Sequence, residues 1–135
     1  MLFLVYLNVH KLTLLASLTV GLARVMPRDA GCPYNDKFNM SGAGSPRYMA
    51  PECLDNKAYN MKADVYSFAI VLWELLAGQT PYAFVRQRHH LVQHVVVEGG
   101  RPEINETWPD DIKLMLESSF HEDMNMRPVS CVCTI

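Results

Sequence analysis

Histidine, cysteine and a short glycine-serine run are the residues of this sequence whose spacing invites a chemical reading. His90 and His94 stand four apart with His89 adjacent, a spacing that can set two imidazoles toward one metal ion from a helix. No third or fourth ligand accompanies them, because the segment carries no acid before Glu98, and a solvated basic helix face is the expectation. Cys131-Val132-Cys133 is likewise short of a metal quartet, so no metal site is expected. Nucleophilic Ser/His/Asp chemistry lacks its sharp Gly-x-Ser-x-Gly turn. A phosphate cradle would need three spaced glycines, and Gly42-Ala43-Gly44 has Arg47 where the third would fall. What remains is the run Gly44-Ser45-Pro46-Arg47-Tyr48-Met49-Ala50-Pro51-Glu52, followed at a distance by Asp64 and Arg127.

The chain that must position these groups has 135 residues, near the common size of one domain. Half of them are hydrophobic and 19% are charged, which excludes a disordered chain. Lys and Arg number 12 against 14 Asp and Glu, so no global positive field exists to hold a nucleic-acid backbone, and nucleic acid is not an expected partner. The cysteines at 32, 53, 131 and 133 form no Cys-x-x-Cys pair and read as reduced thiols of a cytoplasmic protein.

Residues 24–47 lose periodicity and fill with Pro, Gly and Asn, the composition of a long functional loop. Beyond it, Val65, Phe68, Ala69, Leu72, Trp73, Leu75 and Leu76 follow helical spacing, with Asp64 at the start and Gly78 then Pro81 as the stop. That helix is apolar on most faces and belongs in the middle of a domain. A second helix is expected from Tyr82 to Val97, ended by Gly99-Gly100, and a third from Pro109 at its first position to about Phe120.

The opening stretch, through Ala23, is apolar apart from Asn8, His10, Lys11 and a few hydroxyls. As a spanning helix it would hold Lys11 near the bilayer centre, at a cost of about 2.5 to 3.5 kcal/mol. As a signal peptide it lacks a positive region ahead of its apolar run. A secreted or anchored protein using residues 1–23 stays open as a third reading, but a pair of buried strands is the plainer expectation and a membrane partner is disfavoured.

Ala50-Pro51-Glu52 alone is three common residues. Joined to GSPRYM before it, to KADVYSFAIVLWELLAGQTPY after it and to Arg127-Pro128 further on, it resembles the large lobe of a eukaryotic protein kinase catalytic domain. DVYSFAIVLWELL and GGRPEI are most similar to the tyrosine-kinase-like branch of serine/threonine kinases. The resemblance implies a fold of α+β class, mostly α, with residues 1–19 an apolar leader and residues 20–135 a partial kinase domain. Within it, 20–52 would be the activation segment and 53–135 the helices of the C-terminal lobe. It further implies that Glu52 and Arg127 form a buried bidentate ion pair, and that Asp64 accepts hydrogen bonds from a catalytic-loop backbone. Ala50 and Pro51 would belong to the same structural set, and Ser45, Pro46, Arg47 and Tyr48 would form the loop that contacts a Ser/Thr substrate. Ser41 lies where phosphorylation could order that loop.

The same alignment sets Thr19-Val20-Gly21 where the family carries Asp-Phe-Gly. A neutral hydroxyl thus replaces the magnesium-binding carboxylate. With no glycine-rich loop and no His-Arg-Asp catalytic loop, no catalytic residue is expected here and no cofactor bound by this chain alone. ATP and magnesium belong to the complete family enzyme. The function implied is that of a serine/threonine kinase family member whose substrate is a protein hydroxyl. The alternative is a pseudokinase-like module that binds a protein partner. In either case Phe68, Leu72 and Trp73 are expected to be partly exposed.

Overall fold

Sixteen residues, KADVYSFAIVLWELLA, build the helix α2 (Lys62–Ala77) that organises the rest. Small and large apolar side chains alternate on its inner faces, and Ala63, Tyr66, Ala69 and Ile70 are almost wholly removed from water. The helix stops at Gly78, whose left-handed backbone (φ 64°) lets its N–H reach the Glu74 carbonyl at 2.9 Å, a conformation that costs glycine nothing. The computed structural model describes residues 44–129. The expected leader and strands, Thr19, Val20, Gly21, Ser41, Cys32, Cys131 and Cys133 lie outside the described residues.

Around α2 stand three shorter helices: α1 (Pro51–Leu54), α3 (Arg88–Val92, continued by a π-helical turn Gln93–Val97) and α4 (Asp110–Ser119). Single 3₁₀ turns at Pro46–Tyr48 and Met124–Met126 flank the set. No β-strand occurs among the described residues, in keeping with a mostly helical large lobe. The core joins Met49, Cys53 and Leu54 to the inner face of α2, to Leu91 and Val95 of the third helix and to Leu116 and Phe120 at the end of α4. Tyr66 lies at its centre, with the Phe120 ring 5.7 Å away.

The structure corrects three of the expectations. The helix expected from Tyr82 begins only at Arg88. Tyr82 takes a positive φ of 52° and the chain turns through 81–84, so helical geometry is impossible there. Pro109 is the extended residue before α4 rather than its first residue, and Asp110 and Asp111 occupy the first turn, where negative charge suits the helix dipole. Trp73 is only 8% exposed, because the extended segment after Gly100 crosses it and the Glu103 carbonyl accepts its indole N–H at 2.7 Å. Phe68 and Leu72 keep the partial exposure expected of them. No helix among the described residues is long and apolar enough to cross a membrane.

Candidate functional site

The segment Gly44–Glu52 is shaped residue by residue. Gly44 has φ 120°, which side chains rarely adopt, and Pro46 opens the 3₁₀ turn with its fixed φ. Ser45 is exposed ahead of the turn. Arg47 reaches across to the turn after α2, donating to the carbonyls of Pro81 (3.0 Å), Tyr82 and Val85 (2.6 Å). Tyr48 donates its hydroxyl to Glu74 on α2 at 2.8 Å, and burial together with that carboxylate pushes the phenol up to about 12. Arg47 and Tyr48 therefore fix the segment in place, while Ser45 and Pro46 are left facing a cleft of about 120 Å³ closed on the other side by Val85–Arg88 and Leu91.

Ala50 and Pro51 start α1, both buried, and Pro51 fills the first helical position, where its missing N–H leaves no bond unmade. The next residue, Glu52, meets Arg127 across 75 positions of sequence. Arg127 Nη1 donates to Glu52 Oε1 at 2.7 Å and Nη2 to Oε2 at 2.8 Å, a fork-to-fork pair with 1% and 7% of the two residues exposed. The remaining donors of the guanidinium are used on carbonyls: His121 (2.9 Å), Lys62 (3.2 Å) and Glu122 (3.3 Å). Its plane lies 5.1 Å from the centre of the Tyr66 ring. Lys62 Nζ in turn donates to the Arg127 carbonyl, so the pair is enclosed on every side.

Asp64 is placed in the first turn of α2, without a side-chain cap. Among the described residues nothing donates to its carboxyl, and burial pushes that group from 3.8 up to about 6. Beside Glu52, the buried Cys53 thiol is pushed up to about 12, first by burial and then by the Glu52 charge, so it is an inert packing group. Tyr66 and Tyr82 share a buried hydroxyl–hydroxyl bond of 3.1 Å, and burial raises both.

One residue of this frame escaped the sequence reading. Arg101 donates to the carbonyls of Phe120 (2.8 Å), Val95 (2.9 Å) and Gly100 (2.8 Å) and stacks 5.4 Å from the Tyr66 ring, tying α3 to the end of α4. Its signal was an arginine set between Gly99-Gly100 and Pro102, where a turn aims one long donor back into the fold.

The histidines do not converge. His89 and His90 stack on each other with ring centres 4.0 Å apart and are exposed, whereas His94 is wedged between Tyr82 and Phe84 and faces Glu98 at 3.3 Å. Among the described residues no group of three or more His, Cys, Asp or Glu side chains could hold a metal ion. These described residues therefore do not fit magnesium, which takes several hard oxygens.

The family described as protein tyrosine and serine/threonine kinase matches residues 19–133. The dual specificity protein kinase shkB of Dictyostelium discoideum is 40% identical over 109 residues, covering 80% of this chain and 16% of that protein. Serine/threonine-protein kinase STY17 of Arabidopsis thaliana is 41% identical over 85 residues, 63% of this chain and 15% of its own length. Serine/threonine-protein kinase VIK of the same plant is 36% identical over 96 residues, 70% of this chain and 22% of that protein. The chain thus spans less than a quarter of the length of these curated relatives.

Proposed function

Because this chain belongs to the protein tyrosine and serine/threonine kinase family, we propose that it is the part of a serine/threonine kinase domain that anchors the activation segment and presents a protein substrate. Residues 20–52 form that segment, residues 53–135 the helices of the C-terminal lobe, and the protein works in the cytoplasm. The observation that carries the reading is the Glu52–Arg127 fork, which joins the end of the segment to the last described residues of the lobe. A buried ion pair is a costly way to hold two surfaces together, and it suits a segment whose position matters more than its stability. Ser45 and Pro46 line the cleft that receives the protein hydroxyl, and Arg47 and Tyr48 hold that wall rigid from behind. ATP and magnesium are supplied with the parts of the kinase that carry the phosphate-binding and metal-binding groups.

The test is transfer of phosphate by the full-length protein from radiolabelled ATP, with magnesium, to a mixed protein substrate, followed by phosphoamino-acid analysis. Phosphoserine and phosphothreonine are expected, and phosphotyrosine alone would overturn the reading. Thr19, at the position of the magnesium-binding carboxylate, favours the second reading of a non-catalytic module that binds a protein partner. Absence of transfer together with retained peptide binding would select it.

A further inference from the structure

Five arginines lie among the described residues, and three of them are fully employed. Arg47 holds the turn at 81–85, Arg101 ties the third helix to the end of α4, and Arg127 pairs with Glu52. Arg86 and Arg88 differ. Both are exposed, and neither makes a hydrogen bond or ion pair among the described residues. They are also neighbours in space, because Gln87 between them is extended (φ −115°, ψ 142°), and alternate side chains of an extended chain share a side. Together they line the cleft of about 120 Å³ whose far wall is Ser45, Pro46 and Arg47.

No acidic residue occurs from Pro81 to Val97, so no internal carboxylate competes for the two guanidiniums from their own element. The element facing them on the other side brings Asp55 into an adjoining cleft lined by Arg88 and His89. That carboxylate is already paired with Lys57 at 2.7 Å. His89 and His90, also exposed, extend the same basic strip. A planar guanidinium matches a carboxylate bidentately, and two of them along one cleft match successive acidic side chains of an extended peptide.

We propose that Arg86 and Arg88 are specificity residues that select an acidic peptide segment, Asp- or Glu-bearing, in the protein engaged at the Ser45–Arg47 cleft. The inference rests on the reading that this lobe presents a protein substrate. A nucleic-acid backbone is the poorer occupant, since the basic strip is short and the whole chain carries net charge −2.

The experiment is fluorescence anisotropy of the full chain with three labelled peptides that share a central serine and are flanked by glutamate, alanine or lysine. The glutamate peptide is expected to bind about tenfold more tightly than the alanine peptide at low salt, as two charge pairs in water allow, and the lysine peptide more weakly than either. In the Arg86→Ala/Arg88→Ala variant that advantage should vanish, with the melting temperature where it was and the ratio of glutamate-peptide to alanine-peptide affinity near one. Arg86→Lys/Arg88→Lys should keep part of it, since the charge remains and the fork is lost. Equal affinity for the glutamate and alanine peptides, an advantage that survives the double alanine variant, or tighter binding of a single-stranded oligonucleotide of matched charge would overturn the inference. The readout needs no phosphoryl transfer. Acid selection without catalysis refutes only the proposed activity, and Ser/Thr transfer without acid selection refutes only this inference.

Discussion

Replacing Arg127 by alanine should destabilise the protein strongly. The substitution removes both Arg127 donors to a 7%-exposed carboxylate and strips donors from the carbonyls of His121, Lys62 and Glu122. It also empties the space beside the Tyr66 ring. Breaking a buried pair from one side costs about 3 to 5 kcal/mol, because the surviving charge is left in a low-dielectric interior. A domain of this size holds about 5 to 15 kcal/mol in all. The loss is therefore at least about a fifth of the total, and at about 4 to 8 °C per kcal/mol it lowers the melting temperature by more than about 10 °C. Urea unfolding followed by tryptophan fluorescence reports it directly, since Trp73 is buried against α2's neighbours. Arg127→Lys should recover only part of the loss, because an ammonium cannot make both 2.7 and 2.8 Å contacts in one plane. The double substitution Glu52→Leu/Arg127→Met removes both charges and should be far less costly than the sum of the two single changes. A urea midpoint for Arg127→Ala within error of the parent protein would refute the reasoning, since it would place the pair in water. Additive single and double substitutions would do the same.

Asp64 gives a pH signature of opposite sign to an ordinary salt-bridged carboxylate. Its folded-state value of about 6 lies above the ordinary 3.8, so the folded state holds the proton more firmly, and stability contributed by protonation falls as pH rises through this window. Asp64→Asn should therefore gain about 1 to 2 kcal/mol over the parent at pH 7, allowing for the solvent that still reaches the group, and the gain should fade near pH 4; a gain independent of pH contradicts this. At Gly100 a Cβ would stand 2.2 Å from His94 Nε2, so Gly100→Ala should cost about 1 to 3 kcal/mol in urea unfolding, with His94→Ala restoring part of it. Cys53, with its thiol pushed up to about 12, should resist iodoacetamide at pH 8 until the chain unfolds, as peptide mapping by mass spectrometry would record.

The parts of the fold legible in the sequence are those whose causes are local. Apolar spacing from Val65 to Leu76 and a terminal glycine define α2 without help from the rest of the chain, and Gly78 ends it as expected. The segment after Tyr82 misleads because its side chains suit a helix, while its backbone is governed by Arg47, 34 to 38 positions earlier, whose donors hold carbonyls 81, 82 and 85 in a turn. Periodicity carries no trace of a donor that distant. Glu52 and Arg127, 75 positions apart, were legible only through the resemblance to a family, since neither residue type nor spacing pairs them. Arg86 and Arg88 could be seen as charge. That three other arginines are occupied and these two are not is visible only once the chain is folded.

Among the described residues three guanidiniums hold this lobe together, and apart from Glu52 every acceptor they use there is a main-chain carbonyl. A carbonyl is present whatever side chain follows it. The clamped positions, Tyr82, Val85, Val95, Phe120, His121 and Glu122 among them, are thus restrained in path without being restrained in identity by the clamp. Mutational tolerance should be lopsided as a result: narrow at Arg47, Arg101, Arg127 and Glu52, and broad at exposed gripped sites such as His121 and Glu122, where any residue able to follow the same backbone supplies an equivalent acceptor. Such a lobe can diversify its surface around a few fixed cations while the geometry of its cleft stays the same.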